Sequence, residues 1–158
     1  MADGRRFAGA LLFDTDGNFL LQQRDDKPGI LHPGRIGLFG GHQEPGESPL
    51  ECVVREVHEE LSYFVPAQHF RHIGTYRDGN SVPTRTVELY SAADVPAAKL
   101  VVTEGALLIV PKGKIAALTG RLTPSAAAAL ELIAAAGLTL VDAAPEIFDV
   151  SDGWSHIG

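Results

Sequence analysis

Short apolar runs along the N-terminal part of the chain predict β-strands. Residues 6–24 contain two such runs, separated by the polar cluster at 14–18. Asp, Asn and Gly accept the backbone angles of tight turns, so this segment is predicted to be a β-hairpin. Residues 26–35 hold two prolines and two glycines, which predicts an irregular loop. A short strand is predicted at 36–39, followed by a second loop at 40–48.

After this loop, apolar residues recur with the period of an α-helix, which predicts a helix over Pro49–Leu61. Ser48 suits the N-cap position, Pro49 the first helical position, and Glu51 the third, which together form a capping-box signature. The spacing of about 3.6 residues gathers the apolar side chains on one stripe. The stripe consists of Leu50, Val53, Val54, Val57 and Leu61.

The remaining chain alternates again between strand and helix patterns. The predicted strands lie at 69–76, 84–92 and 106–110, the first two flanking a turn at Gly79 and Asn80. Thr123 before Pro124 predicts the N-cap of a final helix that ends at Gly137. This order predicts an α/β (α+β) fold, a mixed sheet with helices on its faces. A single domain is expected over residues 1–158, with 138–158 a C-terminal tail of unassigned role.

Composition and charge narrow the possible partners. Thirteen basic and twenty acidic residues give a net charge of −7, which disfavours nonspecific binding to nucleic acid or an anionic membrane. The lone Cys52 excludes an internal disulfide and fits a reducing cytoplasm. The longest apolar stretch, 125–141, contains Glu131 and Gly137 and is a poor membrane span. The six histidines have no paired zinc-ligand spacing.

The polar face of the helix Pro49–Leu61 carries an unusual cluster of acidic residues. Glu56, Glu59 and Glu60 are spaced i, i+3 and i+4, so they neighbour one another near the negative end of the helix dipole. Their repulsion costs on the order of 1–3 kcal/mol in total. A solvated acidic face is one interpretation. The other is a site for Mg²⁺ or Mn²⁺, which prefer oxygen ligands. Binding of such a cation would replace the repulsion between the glutamates with a net stabilisation.

The sequence around this cluster resembles a family motif. Residues 41–63 read GHQEPGESPLECVVREVHEELSY and resemble the Nudix box, G-x5-E-x7-R-E-U-x-E-E-x-G-U, where U is aliphatic. Every charged position matches. Ser62 stands where the family usually has glycine and Tyr63 where it usually has an aliphatic residue. The departure at Ser62 affects only the turn after the helix, because a non-glycine residue there adopts a left-handed conformation at a cost.

The resemblance implies a fold and an activity. The fold is a Nudix-type α/β/α sandwich with a mixed β-sheet and the box forming a loop and helix. The activity is hydrolysis, dependent on Mg²⁺ or Mn²⁺, of a diphosphate bond in a nucleoside triphosphate or in a nucleoside diphosphate linked to another group. The expected partner is therefore a small nucleotide-like diphosphate, with no nucleic acid and no membrane. A homodimer is expected from relatives, and so is a cytoplasmic location.

The resemblance also assigns roles to individual residues. The metal ligands it implies are Glu56, Glu59, Glu60, the carbonyl of Gly40, and Glu104, the last resembling the extra acidic ligand of MutT-type members. Arg55 and Glu47 are expected to orient the cluster by pairing, and one box glutamate to act as general base. Arg24 is expected to face the substrate phosphates. The alternatives are a solvated loop glutamate at Glu104 and a surface arginine at Arg24.

Other functions are possible for the same sequence. Residues 11–17 also resemble the first motif of haloacid-dehalogenase-type phosphatases, with Asp14 as nucleophile, but Asn18 stands where that family has threonine and the turn interpretation is preferred. A Nudix-fold module that senses nucleotides would usually lack box carboxylates. Isoprenoid diphosphate isomerases need a cysteine outside the box, whereas Cys52 lies inside it. The candidate substrates include an oxidised nucleoside triphosphate, a nucleotide sugar and a dinucleoside polyphosphate.

Overall fold

Eight strands and two α-helices make up most of the described chain, which in this computed structural model comprises residues 4–136 and 146–149. The strands are β1 Arg5–Asp14, β2 Phe19–Gln23, β3 Ile36–Gly37, β4 Phe39–His42, β5 Arg71–Asp78, β6 Arg85–Val95, β7 Ala106–Val110 and β8 Glu146–Asp149. The α-helices are α1 Pro49–Leu61 and α2 Pro124–Ala135. Short 3-10 helices lie at Ala67–His69, Ala97–Lys99 and Lys112–Arg121.

Strand β1 organises the sheet. It pairs in parallel with β6 along one edge, and antiparallel with both β4 and β2 along the other. On the antiparallel edge, the first half of β1 pairs with β4, from Phe7↔His42 to Ala10↔Phe39. The end of β1 pairs with β2 at Leu12↔Leu20. Strand β2 also pairs with β7, and β5 lies between β6 and β8. The predicted hairpin is therefore confirmed as β1 and β2.

The prediction of a single strand at 36–39 is wrong. Because β1 and β2 diverge, the segment splits at Leu38 into β3, which bonds β2, and β4, which bonds β1. Gly40 and Gly41 consequently lie within β4 instead of opening the second loop, which begins at Gln43. The irregular loop at 26–35 and the strand Ala106–Val110 are confirmed.

The boundaries of the middle strands also differ from the prediction. The strand predicted at 69–76 begins at Arg71, because Ala67–His69 forms a 3-10 turn, and it ends at Asp78. The strand predicted at 84–92 begins at Arg85 and continues to Val95. The 3-10 helix Lys112–Arg121 and strand β8 have no counterpart in the prediction.

The two faces of the sheet form two separate cores. Leu11 and Phe13 of β1 pack with α2 residues such as Leu132, whereas Ala10 and Leu12 pack with α1 residues such as Val57. Successive side chains of a strand point to opposite faces, so β1 contributes to both cores. The predicted α/β/α sandwich with a mixed sheet is confirmed.

Helix α1 begins and packs as its sequence predicts. The Ser48 hydroxyl accepts a hydrogen bond from the Glu51 amide at 3.0 Å, and the Glu51 carboxylate accepts one from the Ser48 amide at 2.9 Å. Val53, Val57 and Leu61 are fully buried, and the other stripe members, Leu50 and Val54, are half-buried. Cys52 is also fully buried. Burial raises the pKa of its thiol to about 11, so this cysteine stays protonated and unreactive at neutral pH.

A loop from β6 to β7 covers the C-terminal end of α1. The amide of Val101 donates to the carbonyl of Leu61, and that of Thr103 donates to the carbonyl of Glu60, both at 2.9 Å. These bonds satisfy carbonyls that the helix leaves without partners. The buried side chain of Gln22 donates to the carbonyl of Glu104 at 3.1 Å. The loop is therefore fixed against both α1 and β2.

Ser62, at the C-cap of α1, has the left-handed conformation that its place in the motif predicts, with φ 53° and ψ 36°. Replacing Ser62 with Gly is expected to stabilise the fold by about 0.5–1 kcal/mol, because glycine adopts these angles without a steric cost. Urea unfolding followed by circular dichroism measures the change. An unchanged or lower free energy of unfolding would show that the serine pays no penalty here.

Helix α2 has the predicted N-cap. The Thr123 hydroxyl accepts a hydrogen bond from the Ala126 amide at 3.3 Å. The helix ends at Ala135, while the predicted end at Gly137 and all of the tail 138–158 except β8 lie outside the described residues. Among the described helices, none has the length and hydropathy needed to cross a lipid bilayer.

Candidate functional site

A cleft of about 340 Å³ lies on the α2 side of the sheet. The residues that line it come from β1, β4, β5, β6 and α1, and from the loop between β2 and β3 and the first turn of α2. The lining includes three of the predicted acidic residues, Glu56, Glu60 and Glu104, together with Arg24 and the backbone of Gly40. Residues from the box and from distant segments therefore meet in one place.

Glu60 is the most buried carboxylate of the cleft, with 8% of its surface exposed. Its Oε1 atom accepts a hydrogen bond of 2.7 Å from the amide of Gly40. The absence of a side chain at Gly40 instead allows β4 to lie close to β1, because a Cβ at this position would lie 2.1 Å from the carbonyl oxygen of Ala8. Burial raises the pKa of Glu60 to about 8, and the charges of Glu56 and Glu104 act in the same direction.

Arg55 connects three groups around the carboxylates: Glu47, Glu56 and the carbonyl of His42. Its Nε and Nη2 atoms contact both oxygens of Glu47, at 2.5 and 2.9 Å. Nη1 donates to Glu56 at 2.8 Å, and Nη2 also donates to the carbonyl of His42 at 3.1 Å. The paired guanidinium lowers the pKa of Glu47 to about 2. This fork geometry is specific to arginine and holds the loop, β4 and α1 together.

Glu56 faces the cleft beside Gly41. A Cβ on Gly41 would stand 2.4 Å from the Glu56 carboxyl group, so glycine leaves room for that side chain in its present position. Burial raises the pKa of Glu56, while the hydrogen bond from Arg55 lowers it. Gly40 thus allows the close approach of β1 and β4, and Gly41 leaves space for the carboxyl group of Glu56.

Glu59 does not join this group. Its side chain is 61% exposed, it approaches Arg55 at 3.5 Å, and it is not among the residues that line the cleft. The sequence expectation that three box glutamates share one patch therefore holds for Glu56 and Glu60 only. At the helical spacing, one of the three must point further from the sheet than the others.

Glu104 and Arg24 reach the cleft from outside the box. Glu104 is carried by the loop that covers the end of α1, and its charge raises the pKa of Glu60. Arg24 follows β2, donates to the carbonyl of Leu31 at 2.8 Å, and lowers the pKa of Glu60. Both residues are consequently close to the box carboxylates, although each lies far from them in sequence.

The oxygen donors of the cleft suit a hard divalent cation in their chemistry. Glu60 and Glu56 are desolvated carboxylates with raised pKa values, and a bound cation would relieve that penalty. Within residues 4–136, however, no three acidic, histidine or cysteine side chains converge as a ready-made metal site. The side chains would therefore have to adjust when a cation binds.

Three further cleft residues belong to no sequence motif. Arg5, Phe7 and Arg85 line its outer part, and they come from β1 and β6. Only the pairing of these two strands brings them together. In contrast, Asp14 lies outside the cleft lining and accepts hydrogen bonds from Asn18 and the amide of Asp16, so the turn interpretation of that motif is confirmed.

The raised pKa of Glu60 predicts that stability depends on pH when no metal is present. Its folded-state pKa of about 8 lies above its ordinary value of 4.5. The folded chain therefore holds this proton more tightly, and the resulting stability is complete below about pH 4.5 and is lost as the pH rises toward 8. In chelator, the free energy of unfolding should fall by ~3 kcal/mol over this window.

Urea unfolding at several pH values measures this loss, with Glu60→Gln as the comparison. The variant cannot titrate at this position, so its curve should be flatter. Glu47 acts in a different window, because its lowered pKa contributes stability that is lost only as the pH falls toward 2. Equal slopes for both proteins between pH 5 and about 8 would show that Glu60 is not the titrating group.

Comparison with known proteins adds three findings. A family model described as "NUDIX domain" matches residues 4–131. An RNA pyrophosphohydrolase from Gluconacetobacter diazotrophicus is 38% identical over 60 residues, 36% of each chain. A nucleoside triphosphatase, NudI, from Salmonella agona is 46% identical over 50 residues, which are 32% of this chain and 35% of that protein. The matches thus span about a third of the length of these curated relatives.

A solved structure has the same fold. The crystal structure of a MutT NUDIX hydrolase from Burkholderia pseudomallei is 24% identical, with a TM-score of 0.67, and the similarity covers 84% of this chain and 99% of that one. The similarity between the two structures therefore extends beyond the box to most of the sheet and helices.

Proposed function

The chain belongs to the Nudix family, and on that premise we propose that it hydrolyses a diphosphate bond in a nucleoside triphosphate or in a nucleoside diphosphate linked to another group. Nudix hydrolases generally use divalent metals, and we propose Mg²⁺ or Mn²⁺ here. The observation that carries the proposal is the buried Glu60 carboxylate, fixed to the Gly40 amide beside Glu56. Such an arrangement weakens the metal-free fold, and a bound cation would offset that cost.

The proposed division of roles follows from the contacts. Glu56, Glu60 and the carbonyl of Gly40 would hold the metal at the inner end of the cleft, with Glu104 adding a carboxylate from the loop. Glu59, which is exposed, would join after a change of rotamer or through a water molecule. A bound divalent cation neutralises phosphate oxygens and lowers the pKa of a coordinated water.

The remaining residues would position the reactants. Arg24, next to Glu60, would pair with phosphate oxygens, while Arg55 and Glu47 hold Glu56 in place. In the reaction, the oxygen of a water molecule forms a bond to phosphorus, and the bond from phosphorus to the bridging oxygen breaks. The proton of the water passes to a box carboxylate, and the second phosphate group leaves with the bridging oxygen.

The test is a product assay with a panel of substrates. Nucleoside triphosphates, nucleotide sugars and dinucleoside polyphosphates would each be incubated with Mg²⁺, with Mn²⁺ and with chelator. We expect cleavage of one class that requires metal and stops in chelator. No cleavage of any compound, with nucleotide binding retained, would replace the proposal with a nucleotide-sensing module. That alternative has one observation in its favour, the lack of three converged donors among the described residues.

Three further properties are proposals of the same kind. We propose that residues 1–158 act as one domain, that the chain forms a homodimer, and that it works in the cytoplasm. The buried, protonated thiol of Cys52 fits a reducing compartment. Light scattering measures the dimer directly, and a monomer mass at micromolar concentration would contradict it.

A further inference from the structure

We propose that the outer part of the cleft is a nucleobase subsite that selects guanine through Arg85. This inference rests on the proposed function, because it assumes that the diphosphate belongs to a nucleotide. Its basis is the arrangement of charged and apolar residues on neighbouring strands of the cleft floor.

The floor changes character along the strands. At the inner end, Gly9 of β1 faces Gly40 of β4, next to the carboxylates. Two residues earlier along β1, Phe7 pairs with Val87, which in turn faces Tyr76 of β5. We call Phe7, Val87 and Tyr76 the apolar row. All three belong to or pack against the core on the α2 side, so they share one face of the sheet.

A charged row follows two residues further out. Arg5 of β1 pairs with Arg85 of β6, which faces Asp78 of β5. We call Arg5, Arg85 and Asp78 the outer row. A strand rises about 3.3 Å per residue, so the outer row lies about 13 Å from Gly9 along the strand. The floor therefore runs from carboxylates through an apolar patch to fixed cations, over a length comparable with that of a mononucleotide.

Two residues of the loop between β2 and β3 line the cleft together with the apolar row. Leu31 and His32, from the loop between β2 and β3, line the same cleft as Phe7 and Tyr76. Burial lowers the pKa of His32, and the charges of Arg85 and Arg24 lower it further. The imidazole is thus neutral at neutral pH, and its flat ring and the Leu31 side chain line the cleft together with the apolar row. A cleft lined by such apolar and aromatic side chains suits a planar aromatic ring.

The outer row supplies hydrogen-bond donors in fixed positions. The side chain of Arg85 is 12% exposed, and its Nη2 atom contacts Oδ2 of Asp78 at 3.2 Å. The other oxygen of Asp78 accepts a bond from the amide of Asn80 at 3.1 Å. Both carboxylate oxygens are therefore engaged, and among the hydrogen bonds of the described residues the guanidinium of Arg85 donates through Nη2 alone. The guanidinium of Arg5 lies 5.3 Å from the Phe7 ring centroid and adds more donors.

These donors fit one purine better than the other. Guanine presents two neighbouring acceptors, O6 and N7, which arginine can bind with two hydrogen bonds, whereas adenine presents an amino donor beside N7. The partial neutralisation of Arg85 by Asp78 favours such directional bonding over simple attraction of an anion. An oxidised guanine with a hydrogen on N7 loses one of the two acceptors and should bind less tightly than guanine.

The test uses GMP and AMP, which contain no diphosphate bond, so that binding is measured without turnover. Calorimetric titration of the full chain in Mg²⁺ should give a Kd for GMP about tenfold lower than for AMP. Arg85→Gln should remove the preference, because it should raise the Kd for GMP and leave the Kd for AMP little changed. Arg71→Gln, an exposed arginine on β5 outside the cleft, is the matched control and should keep the preference.

Three outcomes overturn the inference: AMP binding as tightly as GMP, no binding of either nucleotide, or a preference that survives in a folded Arg85→Gln protein. Each is distinguishable from failure of the proposed function. Guanine-selective binding without cleavage of any panel compound would support the subsite and contradict the proposed hydrolase activity. Cleavage of diphosphates without guanine preference would support the hydrolase activity and contradict the subsite.

Discussion

Replacing Glu60 with Gln is expected to reduce metal-dependent hydrolysis by about 10²–10³-fold, because it removes the most buried anionic ligand of the proposed site. Glutamine keeps the size of the side chain and can still accept the hydrogen bond from Gly40. It cannot supply the negative charge that draws a cation into a desolvated cleft, an effect worth several kcal/mol of transition-state stabilisation. The variant should therefore stay folded and lose both turnover and metal affinity.

Steady-state kinetics at varied Mg²⁺ measure this loss, with circular dichroism to verify folding. Glu51→Gln is the matched control, because it lies on the same helix, is exposed, and keeps its capping role as glutamine. The control should behave as wild type. Glu60→Gln protein with activity within a factor of about three of wild type would exclude Glu60 from the metal site and would favour ligands elsewhere.

Replacing Arg55 with Lys is expected to reduce turnover by about 10²-fold, even though the charge is retained. Arg55 reaches Glu47 with two nitrogens while it also contacts Glu56 and the carbonyl of His42. A lysine ammonium is a single point and cannot bridge three groups in these directions. Glu56 would lose its fixed position, and a misplacement of about 1 Å is enough for an effect of this size.

The Arg55→Lys measurement separates kcat from the Mg²⁺ concentration that gives half-maximal activity. A positioning role predicts that both change, together with a lower urea midpoint, because the loop and α1 lose their link. Arg121→Lys is the matched control, since this exposed arginine makes only one side-chain contact of 3.2 Å, to Gln23, among the described hydrogen bonds. Full activity in Arg55→Lys would mean that charge alone is needed at this position.

Local sequence predicted the parts of the fold that depend on near neighbours. The bounds of α1, its capping box and its buried stripe are fixed by residues within one or two turns, so a pattern of period 3.6 is sufficient. The same holds for the hairpin turn at Asp14 and for the strand Ala106–Val110. The split at Leu38 could not be predicted from local sequence, because it depends on the divergence of β1 and β2.

The candidate site divides in the same way. The sequence by itself determined the glutamate spacing on α1, the neighbouring Gly40 and Gly41, and the pairing residues Arg55 and Glu47, because the motif brings them close along the chain. Only the tertiary structure decided that Glu60 is buried and Glu59 exposed. Burial depends on the strand that lies against the helix, and no pattern within the helix contains that information.

The outer cleft was decided entirely by tertiary structure. Arg85 faces Arg5 and Asp78 only because β6 lies between β1 and β5 in a particular register. A shift of one residue in either pairing would turn these side chains to the opposite face of the sheet. Motif residues are set by chain-local geometry and can be found from sequence, whereas the residues of the outer cleft depend on long-range strand pairing and require the folded structure.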